Sequence, residues 1–233
     1  MIDISALFKI SYGMYIVTSG NREQNNGFIS NSVFQVTASP IQFAVCCNKD
    51  NYTSEFISTF KSFSISVLKQ DASADIIGLF GYMSGRYKNK LLDCKVEYSE
   101  TNVPMVLSDS LAILECKLIR TVDVGSHLMF VGEVINSKLL DDTEPLTYAY
   151  YRNVKKGKAP KNAPTFVDEK KLNENIRDKT MSDVYKCPVC GYEHNVAEGD
   201  PKSGIDPNTP WNDVSEEYTC PLCGAGKEDF YKL

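Results

Sequence analysis

The sequence of 233 residues contains no apolar run of the roughly 20 residues that a membrane-spanning helix needs. Its first stretch, MIDISALFKISYG, lacks the basic flank and long apolar centre of a secretory signal. These two absences make the cytoplasm the expected compartment, with no membrane partner. No internal repeat is present, which excludes solenoids and propellers. There is no excess of positive charge either: the formal net charge is −5. Nucleic acid is therefore not an expected partner.

What charge there is lies unevenly. Residues 183–233 hold ten acidic and four basic residues, a net of −6, and the remainder of the chain is close to neutral at +1. An acidic terminal module suits docking to a basic protein surface; an ordinary solvated surface has the same composition. Length and a hydrophobic share of 42% fit one medium domain and one small one.

Eight cysteines are present. Four stand in two pairs, KCPVCGY (186–192) and TCPLCGAG (219–226), with 29 residues between Cys190 and Cys220. Two CxxC loops can set Cys187, Cys190, Cys220 and Cys223 tetrahedrally around one metal ion, and a reducing compartment suits thiolate ligands. Glycine follows each pair, so the backbone can turn sharply and aim amides at the sulfurs. On spacing alone, a structural zinc ribbon and a redox-active iron site both fit. Cys46, Cys47, Cys94 and Cys116 show no ligand spacing; the first two, in FAVCC, read as buried strand residues.

The pattern ahead of the cysteine pairs is mostly β. FISNSVFQVTASPIQFAVCC (28–47) reads as strand, turn, strand about Ala38-Ser39-Pro40. KDNYTSEFISTF (49–60) reads as a short helix with Asn51 and Thr53 competing for its N-cap. KSFSISVLK (61–69) alternates as a half-buried strand does, and SADIIGLFGY (73–82) reads as a helix ended by glycine. Three or four strands follow between Cys94 and Leu140, with Gly125-Ser126 at a hairpin. Many strands and few short helices predict a closed or nearly closed β-barrel over residues 1–150.

TYAYYRNVKKGKAPKNAPTF (147–166) is basic and proline-rich, and the next 17 residues are polar. Residues 151–182 are thus expected to be an extended arm and linker ahead of the module at 183–233. Arg152, Lys155, Lys156, Lys158 and Lys161 offer charge for the phosphates of a pyridine nucleotide; a solvated basic linker reads the same way.

Within the barrel, ISNS (29–32) clusters small polar groups before a strand, a helix N-terminus falls near Asn51 and Thr53, and SGR (84–86) places a guanidinium in a turn. Amides at a helix start and a bidentate guanidinium both suit a phosphate. A β-turn, a simple cap and a surface arginine are the plain alternatives.

The C-terminal segment resembles rubredoxin over about 50 residues, in its YxCxxCGY start, GDPxxGI loop, PxTPW segment and CPxCGAxKxxF end. The resemblance implies one iron on four cysteines, buried by a small core of Tyr185, Tyr192, Trp211, Tyr218 and Phe230. His194 stands where that family usually has an aromatic and Tyr218 where it usually has tryptophan; both can pack similarly.

YGMYIVTS (12–19), NGFISNSVFQVTASP (26–40), NKDNYTSEFI (48–57) and GSHLMFVGEV (125–134) are similar to the flavin-reductase-like family, with an FMN-binding split β-barrel. That likeness implies a homodimer with FMN near the subunit interface. By position, Ser30, Asn31 and Ser32 would meet the ring or ribityl chain. Asn51 and Thr53, with Ser84 and Arg86, would lie near the phosphate. His127 would face the flavin or nicotinamide, a hairpin-end structural role being the alternative. The order of modules resembles the high-molecular-weight rubredoxins. These are implied to take electrons from NAD(P)H through FMN to iron, and to give them to a flavodiiron protein that reduces oxygen or nitric oxide. Flavin would be the converter, because it accepts a hydride and releases electrons singly.

Overall fold

A computed structural model describes residues 4–166 and 183–233. Contacts divide the chain into a unit of Ser5–Val167 and a unit that holds the C-terminal residues. In the first, helix α1 (Ile4–Leu7) precedes strands β1 (Tyr15–Gly20), β2 (Asn25–Ser30), β3 (Val33–Ala38) and β4 (Ile41–Asn48). There follow α2 (Tyr52–Phe60), β5 (Ser62–Leu68), α3 (Ala74–Gly81), β6 (Val96–Tyr98) and β7 (Pro104–Val106). The long strands β8 (Ser110–Asp123) and β9 (His127–Leu139) come next, then helix α4 (Tyr148–Asn153).

Seven strands form one sheet in the order β2-β1-β5-β8-β9-β4-β3. This order carries a geometric demand. β2 and β3 are the outer strands, yet only Asn31 and Ser32 separate them in the chain. The peptide links from Ser30 to Val33 span about 11 Å at most. A flat sheet of this size would hold its outer strands roughly 29 Å apart. The sheet must roll until they meet, and the expected barrel results, split at that seam. Residues 28–47 therefore hold three strands rather than two, because the chain also breaks at Asn31-Ser32.

Strand alternation fills two cores. Val17 points into the barrel with Phe28, Val45, Phe63 and Phe130, and its neighbour Ile16 faces an outer cluster with Leu68, Ile77 and Phe80. KSFSISVLK alternates polar and apolar residues, which would ordinarily put its serines on a solvent face. Ser64 and Ser66 are instead buried, because β7 lies over them: Ser64 Oγ donates to Pro104 O at 2.7 Å and sits 2.7 Å from Thr18 Oγ1.

Local caps set the helices. Asn51, not Thr53, caps α2: its Oδ1 accepts from the Thr53 N–H at 3.0 Å. α2 ends at Lys61, left-handed at φ 55°, and buries Ile57, worth about 2 kcal/mol. α3 is capped by Ser73 and buries Ile76, Ile77, Leu79 and Phe80. It ends without the expected glycine turn, since the capping position is Tyr82 in a right-handed conformation. Gly125, at φ 97°, makes the β8–β9 hairpin, where its N–H meets Asp123 Oδ1 at 3.0 Å.

The segment expected to be an extended arm begins as a helix. Thr147 caps α4, and Tyr148 N–H donates to Tyr12 O at 2.8 Å. Burial of Tyr151 and packing of Tyr148 and Tyr150 against the outer cluster outweigh the polar composition. The first unit accordingly runs past the expected boundary at residue 150, to Val167. The rest of the linker lies outside the described residues.

The second unit has a small sheet, β11-β10-β12, of β10 (Val184–Lys186), β11 (Glu193–Asn195) and β12 (Tyr231–Lys232). Its core is the expected aromatic set. Tyr185 stacks on Trp211 at 4.3 Å, and Tyr218 and Phe230 close around the indole. His194 joins them, fully buried, 5.1 Å from Trp211, with no hydrogen-bond partner for either nitrogen among the described residues. Burial holds its imidazole below the ordinary value of 6.5, opposed by Asp200.

Two expectations follow from this packing. A β-carbon at Gly132 would stand 2.7 Å from two ring atoms of Phe63 and 2.9 Å from Cys116 Cβ. Gly132→Ala should cost about 1–3 kcal/mol, seen as a lower thermal midpoint of the barrel; an unchanged midpoint would mean that the wall yields. For His194, the unfolded chain binds its proton at higher pH than the folded one. Stability is thus full above 6.5 and declines as pH falls below it. His194→Phe should remove part of that decline. Midpoints of the second unit between about pH 7.5 and 5.5 should diverge from wild type as acid is added, and parallel curves would assign the acid sensitivity elsewhere.

Candidate cofactor and metal sites

The two cysteine loops share one construction. Cys187 N–H donates to Tyr192 O at 2.8 Å and Gly191 N–H to Cys187 O at 2.9 Å. In the second loop Cys220 N–H donates to Ala225 O at 2.7 Å and Gly224 N–H to Cys220 O at 2.9 Å. Gly191 and Gly224 turn at φ 77° and 75°, where a side chain would be strained. All four sulfurs lie within 4.8 Å of one another, with Cys187–Cys223 at 3.6 Å and Cys190–Cys220 at 3.5 Å. A tetrahedron with metal–sulfur bonds of about 2.3 Å has edges of about 3.8 Å, so the set fits one four-coordinate ion. His194 stays outside it.

Backbone amides are aimed at the sulfurs. Those of Tyr192, Leu222, Cys223 and Ala225 donate to Cys190, Cys220 and Cys223. Burial opposes ionisation of Cys220, yet the amides of Leu222 and Cys223, with Cys190, bring its thiol down to about 7. Such donors favour the more negative state of a bound metal, which raises its potential. Cys187 and Cys220 are buried, but Cys190 and Cys223 are exposed beside exposed Val189 and Leu222. One edge of the tetrahedron therefore faces outward.

In the first unit a cleft of about 400 Å³ lies at the seam. Ser30, Asn31, Asn51 and Ser84 line it, as four of the sequence-predicted residues. Ser32, Thr53, Arg86 and His127 do not; each stands one contact behind. Ser32 Oγ donates to Asn31 Oδ1 at 3.3 Å. Thr53 is fully buried and its hydroxyl has no partner among the described residues. Arg86 is exposed, paired with Glu55 and set 4.2 Å over the Tyr52 ring. His127 lies between Ser126 Oγ at 2.8 Å and Asn162 O at 3.2 Å.

Several lining residues escaped the sequence reading. Tyr148 and Tyr151 come from α4, and residues 158–164 add another wall, of which Lys158 and Lys161 were expected as charge for nucleotide phosphates. Arg152 sits instead over the Phe8 ring, and Lys155 Nζ donates to Ala72 O at 2.9 Å. Lys90 is the other addition. It is 4% exposed, and its Nζ donates to Gly27 O at 2.8 Å and to Phe80 O at 3.5 Å. Burial lowers its ammonium to about 8, and no carboxylate pairs with it among the described residues. Lys90 opens a single 3-10 turn, Lys90–Asp93, capped by Asn89, and only its tertiary placement reveals it. Apolar walls from Met14, Ile77 and Phe80, hydroxyls and a buried cation suit a ligand with a flat ring and an anionic tail, as FMN has.

Residues 7–157 match the family model of the flavin reductase like domain, and residues 184–230 match that of rubredoxin. A high molecular weight rubredoxin of Moorella thermoacetica is 42% identical over 100% of both chains. A ferric-chelate reductase (NAD(P)H) of Archaeoglobus fulgidus is 40% identical over 72% of this chain and 100% of its own. A flavoredoxin structure from Methanosarcina acetivorans, 25% identical, superposes with a TM-score of 0.53 over 58% of this chain and 74% of that one. No helix among the described residues is long and apolar enough to cross a membrane. With both family matches in tandem and the full-length likeness, the chain belongs to the high molecular weight rubredoxins, a flavin reductase like domain joined to a C-terminal rubredoxin.

Proposed function

We propose that this chain carries electrons from NADH or NADPH, by way of FMN, to a single iron held by Cys187, Cys190, Cys220 and Cys223. From there they go to a redox partner, a flavodiiron protein that reduces oxygen or nitric oxide. One observation carries the reading: a single polypeptide holds both a four-thiolate cluster and a cleft whose lining suits a flavin. Bound FMN supplies the exchange between a hydride and single electrons, which no side chain offers. The Archaeoglobus relative, named for NAD(P)H, supports a pyridine nucleotide as donor.

The residues bind and orient; none acts as acid or base. Ser30, Asn31 and Ser32 hold the ring or ribityl chain at the seam. Asn51 fixes the first turn of α2, with Thr53 behind it, so that the phosphate meets a helix start. Ser84 and Arg86 flank that end, and His127 borders the nicotinamide side. In the second unit, the outward edge of the thiolate cluster lies between Val189 and Leu222 on a module of net charge −6. That surface suits a partner with a basic rim and an apolar centre. Exposed Phe34, Val36 and Ile41 on β3 and β4 support pairing with a second copy. Thiolate ligation favours a reducing cytoplasm.

Cys220→Ser should abolish iron loading and reduction of an added acceptor, while NAD(P)H still bleaches FMN; acceptor turnover at the wild-type rate would defeat the relay. Arg86→Ala should weaken FMN binding about tenfold, the loss of one charge-assisted contact that its guanidinium would make by turning from Glu55 to the phosphate. Fluorescence titration measures it, and an unaltered dissociation constant would take Arg86 away from the phosphate.

A further inference from the structure

Residues 158–164, KAPKNAP, form a continuous wall of the cleft. Three tethers fasten the run. Tyr82 OH donates to Lys158 O at 2.5 Å, His127 Nε2 meets Asn162 O at 3.2 Å, and Asn31 Nδ2 donates to Thr165 Oγ1 at 2.7 Å. Two of the three anchors, Asn31 and His127, are residues already assigned to the flavin, and the third, Tyr82, lines the cleft. Two of the acceptors are backbone carbonyls, so the anchors fix the path of the chain itself.

The run is also stiff and rooted. Pro160 and Pro164 fix φ near −65° and remove two donors, and Ala163 N–H closes a turn onto Pro160 O at 2.9 Å. Upstream, Gly157 passes so close to the Tyr151 ring that a β-carbon would stand 2.0 Å from Cζ. Lys155 ties the preceding turn to Ala72 O. A wall ordered before its ligand arrives loses little freedom on binding, and one that must open before the ligand leaves acts on the dissociation rate.

We propose that Lys158–Thr165 is a strap that retains FMN as a resident group, rather than leaving it to exchange as a diffusing substrate. The proposal rests on the reading of the cleft as the flavin site. The strap resists departure of FMN through its tethers to Asn31, Tyr82 and His127.

The test uses the full-length protein in three forms: wild type, Thr165→Val, which keeps the shape and removes the hydroxyl, and Thr165→Ser, which restores it. FMN release is followed by recovery of flavin fluorescence after dilution. Release should be about fivefold faster in Thr165→Val, as expected for one lost hydrogen bond, and near wild type in Thr165→Ser. In parallel, trypsin cleavage after Lys158 and Lys161, read by mass spectrometry, should be slowed by FMN in wild type and less so in Thr165→Val. Equal release rates in all three forms would overturn the strap, as would FMN that speeds cleavage by displacing it. Failure of wild type to bind FMN would remove the flavin reading and the strap's role together, whereas binding with unchanged release removes the strap's role alone.

Discussion

The two-residue link between β2 and β3 governs the first unit. Outer strands of a seven-stranded sheet cannot be joined so closely unless the sheet rolls shut. At the place where they meet, no ladder pairs them among the described residues, so Ser30 and Asn31 are left to line the cleft. Close packing brings the other parts of the cleft to the same place. A β-carbon on Gly27 would stand 2.9 Å from Phe80 Cε1, and one on Gly85 only 2.1 Å from Asn26 Oδ1. α3 and the loop after it therefore lie directly on β2, and Ser84 arrives at the seam because two glycines let it.

The metal unit solves a different problem. With about 50 residues it buries too little apolar surface to be more than marginal, and a metal that binds only the folded loops adds its binding energy to folding. The aromatic core does not touch solvent chemistry; it fixes the two loops so that amides meet sulfurs. Replacing one aromatic by His194 keeps the shape but leaves two nitrogens without partners among the described residues, a cost that carbon would avoid.

Sequence made the metal site legible because its chemistry is local: each loop spans five residues, and its cysteines and glycines stand at fixed offsets. The barrel was legible through strand period and through Gly125. The flavin cleft was half legible. Ser30, Asn31, Asn51 and Ser84 reach it, but Arg86 is taken up by Glu55 and Tyr52, a partnership between residues far apart in the chain that no spacing foretells. The helical start of the arm was illegible for the opposite reason. Its lysines and prolines argued for solvent, while Tyr148 and Tyr151, three apart, presented one face to a core that only the fold supplies.

That arm also changes the electrostatic reading. Lys158 and Lys161 from the arm and Lys90 from beneath place positive charge on the cleft, whereas the metal module carries a net of −6. A single figure of −5 for the chain hides two sites of opposite sign. At physiological salt, charge is largely screened beyond about 8 Å, so the local charge of each site, not the net figure, decides what the proposed reading brings to it. In the proposed relay, the cleft would draw the anionic tail of a flavin, and the acidic module would favour a basic partner. On that proposal, the separation of charge along the sequence would match a separation of electron entry from electron exit.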